Sequence, residues 1–277
     1  MKQGKTAVLP DIVMLIRGGG EMASGVAWRL YQCGFRMVLT ETDQPMAVRR
    51  KVSFCEAVYE KQMIVEGVEA QLIKTPDDRF RVWAERKIPL IVDPDCESKH
   101  TIGPNVLVDA ILAKKNVGTS LLDAPLVIGL GPGFEVGRDA HFVVETMRGH
   151  NLGRLLTYGQ AEPDTGVPGS VQGITKDRVL RSPGNGPFQS AHVIGDHVKK
   201  EDIVGTVAGK PVRAKIDGVL RGLIHDGVDV VGGLKIGDID PRDIIKDCYT
   251  ISDKARAIGG AVLEGVLRWY IREGHRD

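Results

Sequence analysis

The fold is decided by residues 12–25, IVMLIRGGGEMASG, where an apolar run of strand length enters three consecutive glycines and a helical pattern follows. The spacing Gly18-x-Gly20-x-x-Ala23 matches the dinucleotide-binding fingerprint in its G-x-G-x-x-A form. Glycines at Gly18, Gly19 and Gly20 permit a tight strand-to-helix turn and let a pyrophosphate approach the backbone. Free N–H groups and the positive end of the next helix would attract that anion. This stretch predicts a nucleotide site.

Two carboxylates bear on this prediction. Glu41 follows the second apolar strand about 20 residues beyond the glycines, where such folds place the acid that holds a ribose hydroxyl. Glu21 puts a negative charge at the helix start and competes with a bound anion unless its side chain turns away. The alternative interpretation is a tight βα turn that binds nothing. The basic run at 49–51 either receives a 2′-phosphate or is a solvated helix start.

The composition is that of an ordinary globular protein, with 42% hydrophobic and 26% charged residues in 277. A net charge of +1 gives no general basis for binding nucleic acid or a membrane surface. No run approaches the ~20 apolar residues of a membrane span. The four cysteines are scattered without a C-x-x-C pair, which signals neither a zinc site nor a dithiol centre. We expect a cytoplasmic protein with reduced thiols and no metal site.

The expected fold class is α/β. Strand and helix signals alternate over residues 1–125 and predict a Rossmann-like parallel sheet as the N-terminal domain. Residues 126–190 are rich in turn sequences and form a loop-rich middle region. A mostly β module follows at residues 191–250. Residues 251–277 form a predicted C-terminal helix that begins after the serine cap candidate Ser252.

The β module contains an internal repeat, because the glycine and valine pattern at 195–207 recurs at 227–239. Two related halves of short strands predict a small pseudo-symmetric module that resembles the barrel-sandwich (biotinyl/lipoyl-like) family. Its lysine candidate, Lys210, lacks both the methionine flanks of biotinyl domains and the preceding acid of lipoyl domains. We therefore expect no covalent biotin or lipoate, and a structural or docking role for this module.

A second candidate site follows another buried-strand pattern. The glycine-rich loop at 129–133 lacks an amphipathic helix after it, so it lacks the helix N-terminus of an anion site. Period two places Asp139, His141 and Glu145 on one strand face, which could form an acid/base or metal-binding face; a half-solvated strand is the alternative. The chain contains no G-x-S-x-G, Walker A or H-E-x-x-H motif. The catalytic residues are therefore unknown.

Five stretches together resemble a known family: 15–25 (LIRGGGEMASG), 48–54 (VRRKVSF), 106–116 (VLVDAILAKKN), 127–134 (VIGLGPGF) and 233–242 (GLKIGDIDPR). The resemblance is to the YqeB-type accessory family of the selenium-dependent molybdenum hydroxylase system. It implies a cytoplasmic maturation factor whose clients are molybdenum hydroxylases, related to xanthine dehydrogenase, that carry a labile selenium at the metal. No catalytic residue carries over from the family.

Three functions remain open. The leading one is an accessory factor that binds a nucleotide, or the nucleotide-containing molybdenum cofactor, and partners a molybdenum hydroxylase client protein. The second is an NAD(P)-dependent oxidoreductase with an unknown small substrate, and the third is a non-catalytic scaffold. The sequence leaves open whether the chain catalyses a reaction and whether it forms a homo-oligomer. The cofactor-binding residues expected for either of the first two are Gly18, Gly19, Gly20, Ala23 and Glu41.

Overall fold

The structure is a computed structural model that describes residues 12–273. Its largest sheet has nine strands: β1 (Val13–Arg17), β2 (Arg36–Glu41), β3 (Gln62–Val65), β4 (Val68–Ile73), β5 (Ile88–Val92), β6 (Val106–Asp109), β7 (Leu126–Leu130), β8 (Phe142–Val144) and β9 (Leu155–Leu156). Their order is β3-β4-β5-β2-β1-β6-β7-β8-β9. The seven inner strands are parallel. The two edge strands, β3 and β9, are antiparallel to their neighbours.

Helices cover both faces of this sheet and differ greatly in length. They are α1 (Glu21–Gln32), α2 (Ala57–Glu60), α3 (Arg79–Ala84), α4 (Lys99–Ile102) and α5 (Asp253–Glu273). Side chains of β1 alternate between the two faces, so Met14 and Ile16 pack in the same core as α1 and α5, whereas Leu15 packs in the core on the other face. The helix α5 therefore packs against α1 and covers β7, β8 and β9 on this face of the sheet.

The prediction of a Rossmann-like parallel sheet confined to residues 1–125 is wrong. The observed sheet is mixed, and it extends beyond residue 125. A two-residue turn at Glu66 and Gly67, both with positive φ, folds β3 back on β4 as a hairpin. Three further strands, β7 to β9, extend the sheet to Leu156. Buried apolar runs reveal strands but not the direction of an edge strand, since that depends on turn geometry.

The second half of the chain forms two four-stranded antiparallel sheets. Their strands are β10 (Val179–Arg181), β11 (Gly186–Gln189), β12 (His197–Val198), β13 (Ile203–Val207), β14 (Lys210–Arg213), β15 (Gly218–Leu223), β16 (Asp229–Val230) and β17 (Lys235–Asp240). The sheet orders are β10-β17-β15-β12 and β14-β13-β11-β16. Apolar side chains from both sheets fill one shared core, in which Phe188 is fully buried.

The prediction of a barrel-sandwich (biotinyl/lipoyl-like) module is also corrected. The structure has two separate antiparallel sheets, and each takes a strand from residues before 191, namely β10 and β11. The repeat pattern concealed these strands because turn residues surround Leu180 and Phe188 in the sequence. Lys210 is an exposed residue at the start of β14, beside the Ala208–Gly209 turn.

Parts of two predictions lie outside the described residues. These are residues 1–11 of the predicted N-terminal domain and residues 274–277 of the predicted C-terminal helix. Within residues 12–273, no helix combines the length and the apolar character that a membrane span requires.

Candidate functional site

A cleft of about 930 Å³ lies where the inner strands of the large sheet end. Its walls include Gly18 after β1, Glu41 at the end of β2, Asp93 after β5 and Ala110 after β6. β2 pairs with one side of β1 and β6 pairs with the other side, so the order of the strands reverses at β1. The cleft therefore lies at a topological switch point. Ligands of open α/β sheets bind at such points, and pockets of roughly 300–1,000 Å³ hold small-molecule ligands. The cleft is large enough for a nucleotide.

The three glycines of the first loop differ in what surrounds them. Gly18 has φ +97°, a left-handed conformation that favours glycine. A Cβ on Gly19 would lie 2.9 Å from the backbone nitrogen of Cys55, so the protein itself fills that space. A Cβ on Gly20 would meet nothing within 4 Å, and Gly20 lines the cleft. Packing and backbone conformation explain the first two glycines, whereas the third leaves open space facing the cleft.

The N-terminus of α1 opens at this point. Gly20 is its N-cap residue and provides no side-chain cap, so the first-turn N–H groups keep their positive potential toward the cleft. The predicted site residue Ala23 lies elsewhere, fully buried in the core and not among the cleft residues. Of the predicted residues, Gly18, Gly20 and Glu41 line the cleft, while Gly19 and Ala23 support the loop from behind.

Glu41 is held by the glycine loop. One of its carboxylate oxygens accepts the Gly19 N–H at 2.8 Å, and the other accepts the Thr42 N–H at 2.9 Å. Burial raises the pKa of Glu41, and the hydrogen bonds from Thr42 and Gly19 oppose that rise. The carboxylate therefore joins the end of β2 to the loop after β1.

Glu21 turns toward a cation and not toward the anion position. Its carboxylate lies 3.2 Å from a guanidinium nitrogen of Arg49, which is only 7% exposed. A second nitrogen of Arg49 donates to the carbonyl oxygen of Asp247 at 2.9 Å. Burial lowers the pKa of Arg49, although the charge of Glu21 opposes this. The interpretation of Arg49 as a solvated helix start is wrong, because it joins the cleft to the segment before α5.

The opposite wall of the cleft is cationic. Among the described residues from Thr146 to Lys254 that line the cleft, six are lysine or arginine and three are aspartate or glutamate. Arg178 forms a short ion pair with Asp238, and both are buried. Arg148 binds Asp253 through two hydrogen bonds of 2.8 and 2.9 Å, and these raise the pKa of Arg148. These pairs hold guanidinium groups in place beside the cleft.

Two cations of this wall have weaker pairing. Within the part of the chain that the structure describes, the Nε of Arg221 is buried without a hydrogen bond, and its ion-pair oxygen, on Asp240, is 3.6 Å away. No hydrogen bond or ion pair within residues 12–273 reaches the ammonium of Lys254 at the start of α5. Burial, followed by repulsion from Arg148, lowers the pKa of Lys254, and burial also lowers that of Lys235. The unpaired ammonium of Lys254, judged within the described residues, and the loosely paired Arg221 therefore place positive charge on the cleft, and such charge favours an anion.

The second predicted face does not form a site. Each of its three side chains accepts a hydrogen bond from the backbone. Asp139 accepts the Glu135 N–H, and Nδ1 of His141 accepts the Val127 N–H at 3.0 Å. Glu145 accepts the N–H groups of Met147 and Glu162. Burial lowers the pKa of His141, which keeps it neutral. All three side chains are used in holding backbone, and none lines the cleft. From the second glycine loop, only Pro132 reaches the cleft wall.

The cationic residues were missed by sequence reasoning. They are Arg148, Arg178, Arg181, Arg221, Lys235 and Lys254, and they belong to segments between residue 145 and the start of α5. They share no spacing, because the pairing of β10 with β17 and the return of α5 bring them together.

No protein-family model matches the chain. The chain is similar to a YqeB protein. It is 46% identical over 255 residues to "Uncharacterized protein YqeB" of Escherichia coli (strain K12). The matched region covers 92% of this chain and 47% of that protein. The chain thus spans about half the length of this curated relative. This similarity supports the YqeB family resemblance of the five sequence stretches.

Two solved structures are similar at a low level. One is an aspartoacylase family protein from Mesorhizobium loti, with 10% identity, coverage of 82% of this chain and 84% of that chain, and a TM-score of 0.27. The other is the ectoine utilization protein EutE (DoeB) from Ruegeria pomeroyi, with 13% identity, coverage of 82% and 85%, and a TM-score of 0.24. Likenesses this distant carry no conclusion about the chemistry of this chain.

Proposed function

We propose that this protein is a cytoplasmic accessory factor that holds a nucleotide, or the nucleotide-containing molybdenum cofactor, for a selenium-dependent molybdenum hydroxylase client. The observation that carries the binding part is the open space at Gly20, which faces the cleft at the uncapped start of α1. A phosphate there would receive N–H groups and the positive end of a 12-residue helix.

The cationic wall supports an anionic ligand of some length. Arg221 and Lys254 line the same cleft as Gly20. Within residues 12–273 the Lys254 ammonium has no ion pair, and the ion pair of Arg221 with Asp240 is a loose one of 3.6 Å. Leaving partly buried charges without a close counter-charge is costly, and a bound phosphate group would offset that cost. The maturation role rests on the family resemblance alone; the similarity to YqeB supports the family and not the role. The ligand is in that case a cargo that the protein passes on.

A binding experiment tests the first part. Native mass spectrometry of freshly purified protein identifies any retained nucleotide, and isothermal titration with inorganic pyrophosphate then measures binding of the shared anionic group. We expect Arg221→Ala and Lys254→Ala each to weaken pyrophosphate binding by about 10–100-fold, since a hydrogen bond to a charged group contributes roughly 1.5–3 kcal/mol. Asp240 keeps Arg242 as a partner in the first variant, so the fold should persist.

Two further variants make this experiment specific. Arg268→Ala removes one positive charge from α5 at an exposed pair with Glu264, away from the cleft, and should bind pyrophosphate as the wild type does. Gly20→Ser adds a side chain in open space and a favoured helix N-cap, so it should preserve stability while blocking the phosphate position. Wild-type affinity in Gly20→Ser and Lys254→Ala together would refute binding in this cleft.

A cellular experiment tests the second part. In a host that makes a selenium-dependent molybdenum hydroxylase, deletion of the gene should lower the selenium and molybdenum content of the purified client. Complementation with Arg268→Ala should restore that content, whereas complementation with Lys254→Ala should not. A client that is fully loaded without the gene would refute the accessory role, even if the cleft binds a nucleotide.

A further inference from the structure

A cluster of one histidine and two glutamates lies between the large sheet and the β region. Glu56 ends a 3-10 turn (Phe54–Glu56) and Glu60 ends α2, so these side chains are four residues apart on one helical face. His225 follows β15 on the other side of the junction. The ligand atoms of all three side chains lie within 4.8 Å of one another. None of the three lines the cleft, so this cluster is separate from the proposed nucleotide site.

The imidazole of His225 is oriented for ligation. Its Nδ1 lies 2.8 Å from the backbone carbonyl oxygen of Asp226. Because a carbonyl can only accept, Nδ1 carries the hydrogen, and Nε2 of the neutral ring keeps a lone pair. Metal-binding histidines commonly have this carbonyl partner on the other ring nitrogen. The ring of Tyr59 stacks on the imidazole with centroids 4.0 Å apart and further fixes its plane.

The distances in the cluster suit an ion between the side chains. Nε2 of His225 lies 3.7 Å from the Glu56 carboxylate and 3.9 Å from that of Glu60, which is too long for hydrogen bonds. Ligand atoms at about 2.0–2.2 Å from a tetrahedral zinc ion are roughly 3.3 Å apart, so a small inward movement completes the geometry. The exposed Glu60 can make that movement, since its side chain is 64% exposed.

We propose that Glu56, Glu60 and His225 bind a divalent first-row transition-metal ion, such as zinc, that joins α2 to the segment after β15. Imidazole favours such ions over magnesium and calcium, and three protein ligands leave a coordination position for water. Arg50 donates to Glu56 at 3.1 Å and holds that buried carboxylate in place. The scattered histidines of the sequence gave no sign of this site, because its ligands come from two distant segments.

Zinc binding tests this proposal directly. Isothermal titration of metal-free protein with ZnCl2 at neutral pH should give one site per chain, and zinc should raise Tm because it binds only the folded junction. His225→Gln and Glu60→Gln should each weaken zinc affinity at least about tenfold, as even outer-shell changes cost 10–100-fold. Both variants should abolish the zinc-dependent rise in Tm. Glu60 is mostly exposed, so its variant should fold normally.

His197→Gln is the matched control. His197 lies on the same β region and pairs with Asp243 at 2.8 Å in an exposed position, so its loss should leave zinc affinity unchanged. Three results would overturn the proposal: no saturable zinc binding, wild-type affinity in both ligand variants, or an equal loss in His197→Gln. An equal rise in Tm with magnesium would overturn the assignment to a transition metal.

Discussion

The crossing of α1 and α5 yields a quantitative prediction, because two glycines bring these helices into close contact. A Cβ on Gly25 would lie 2.7 Å from the Cβ of Ala255 and 2.9 Å from its carbonyl oxygen. A Cβ on Gly259 would lie 2.9 Å from the carbonyl oxygen of Gly25. Normal carbon contacts are about 3.5–4.0 Å, so Gly25→Ala forces the helices apart by nearly 1 Å.

The net cost follows from two opposing effects. Adding a methyl group to a packed interior costs about 1–3 kcal/mol, and contact with backbone atoms places Gly25→Ala in the upper half of that range. Alanine in place of glycine inside a helix returns about 0.8–1.0 kcal/mol. We expect Gly25→Ala to lower the free energy of unfolding by about 1–2 kcal/mol and Tm by roughly 2–8 °C.

Gly260→Ala is the control, since Gly260 lies in α5 and, apart from its own helix, no described residue has an atom within 4 Å of the added Cβ. It should gain helix propensity alone and raise the free energy of unfolding by up to about 1 kcal/mol. Urea denaturation of the wild type and both variants measures these differences. Equal stability of Gly25→Ala and Gly260→Ala, or stabilisation by both, would refute the close helix contact.

Two other predictions concern the charges of the cleft. Because burial lowers the pKa of Lys254, its ammonium loses its proton at a lower pH than an ordinary lysine does. The ratio of wild-type to Lys254→Arg affinity for pyrophosphate, in which the ionisation of the ligand cancels, should therefore fall as pH rises from neutral toward 10 in titrations at each pH. A wild-type profile in Lys254→Arg would contradict it. Arg178→Ala leaves buried Asp238 without its closest cation. It should lower the free energy of unfolding, measured by urea denaturation, by about 3–5 kcal/mol. A loss below about 1 kcal/mol would show that the pair is solvated.

The local structure around the first glycine loop could be predicted from the sequence. Residues 13–17 are apolar except at Arg17 and form β1, and the pattern after Gly20 forms α1 with Ala23 and Leu30 in the core. Such local features depend on apolar period and on glycine chemistry, which are visible in one stretch. The hairpin of β3 and β4 turns at Glu66 and Gly67, both with positive φ; Gly67 signals a turn, but Glu66 is a residue type that does not, so the tight two-residue reversal could not be predicted.

The cleft could be predicted on one side alone. Its sheet side follows from Gly18 and Gly20, but its cationic side requires knowledge of tertiary contacts. Arg178 reaches Asp238 because β10 pairs with β17, and Lys254 reaches the cleft because α5 packs on α1. These contacts join residues far apart in the chain, and charged residues carry no periodic signal. The metal cluster is hidden for the same reason, since His225 meets Glu56 only across the junction.

The contacts of Glu41 bear on which ligand the cleft holds. A dinucleotide would require this carboxylate to accept a ribose hydroxyl, but both of its oxygens already accept N–H groups, from Gly19 and Thr42. A ribose must therefore share these oxygens or break a hydrogen bond between β2 and the glycine loop. A phosphate near Gly20 needs no such exchange, because the start of α1 has no side-chain cap and no hydrogen bond or ion pair from residues 12–273 engages the Lys254 ammonium. The geometry accordingly favours recognition through phosphate groups over recognition through a ribose.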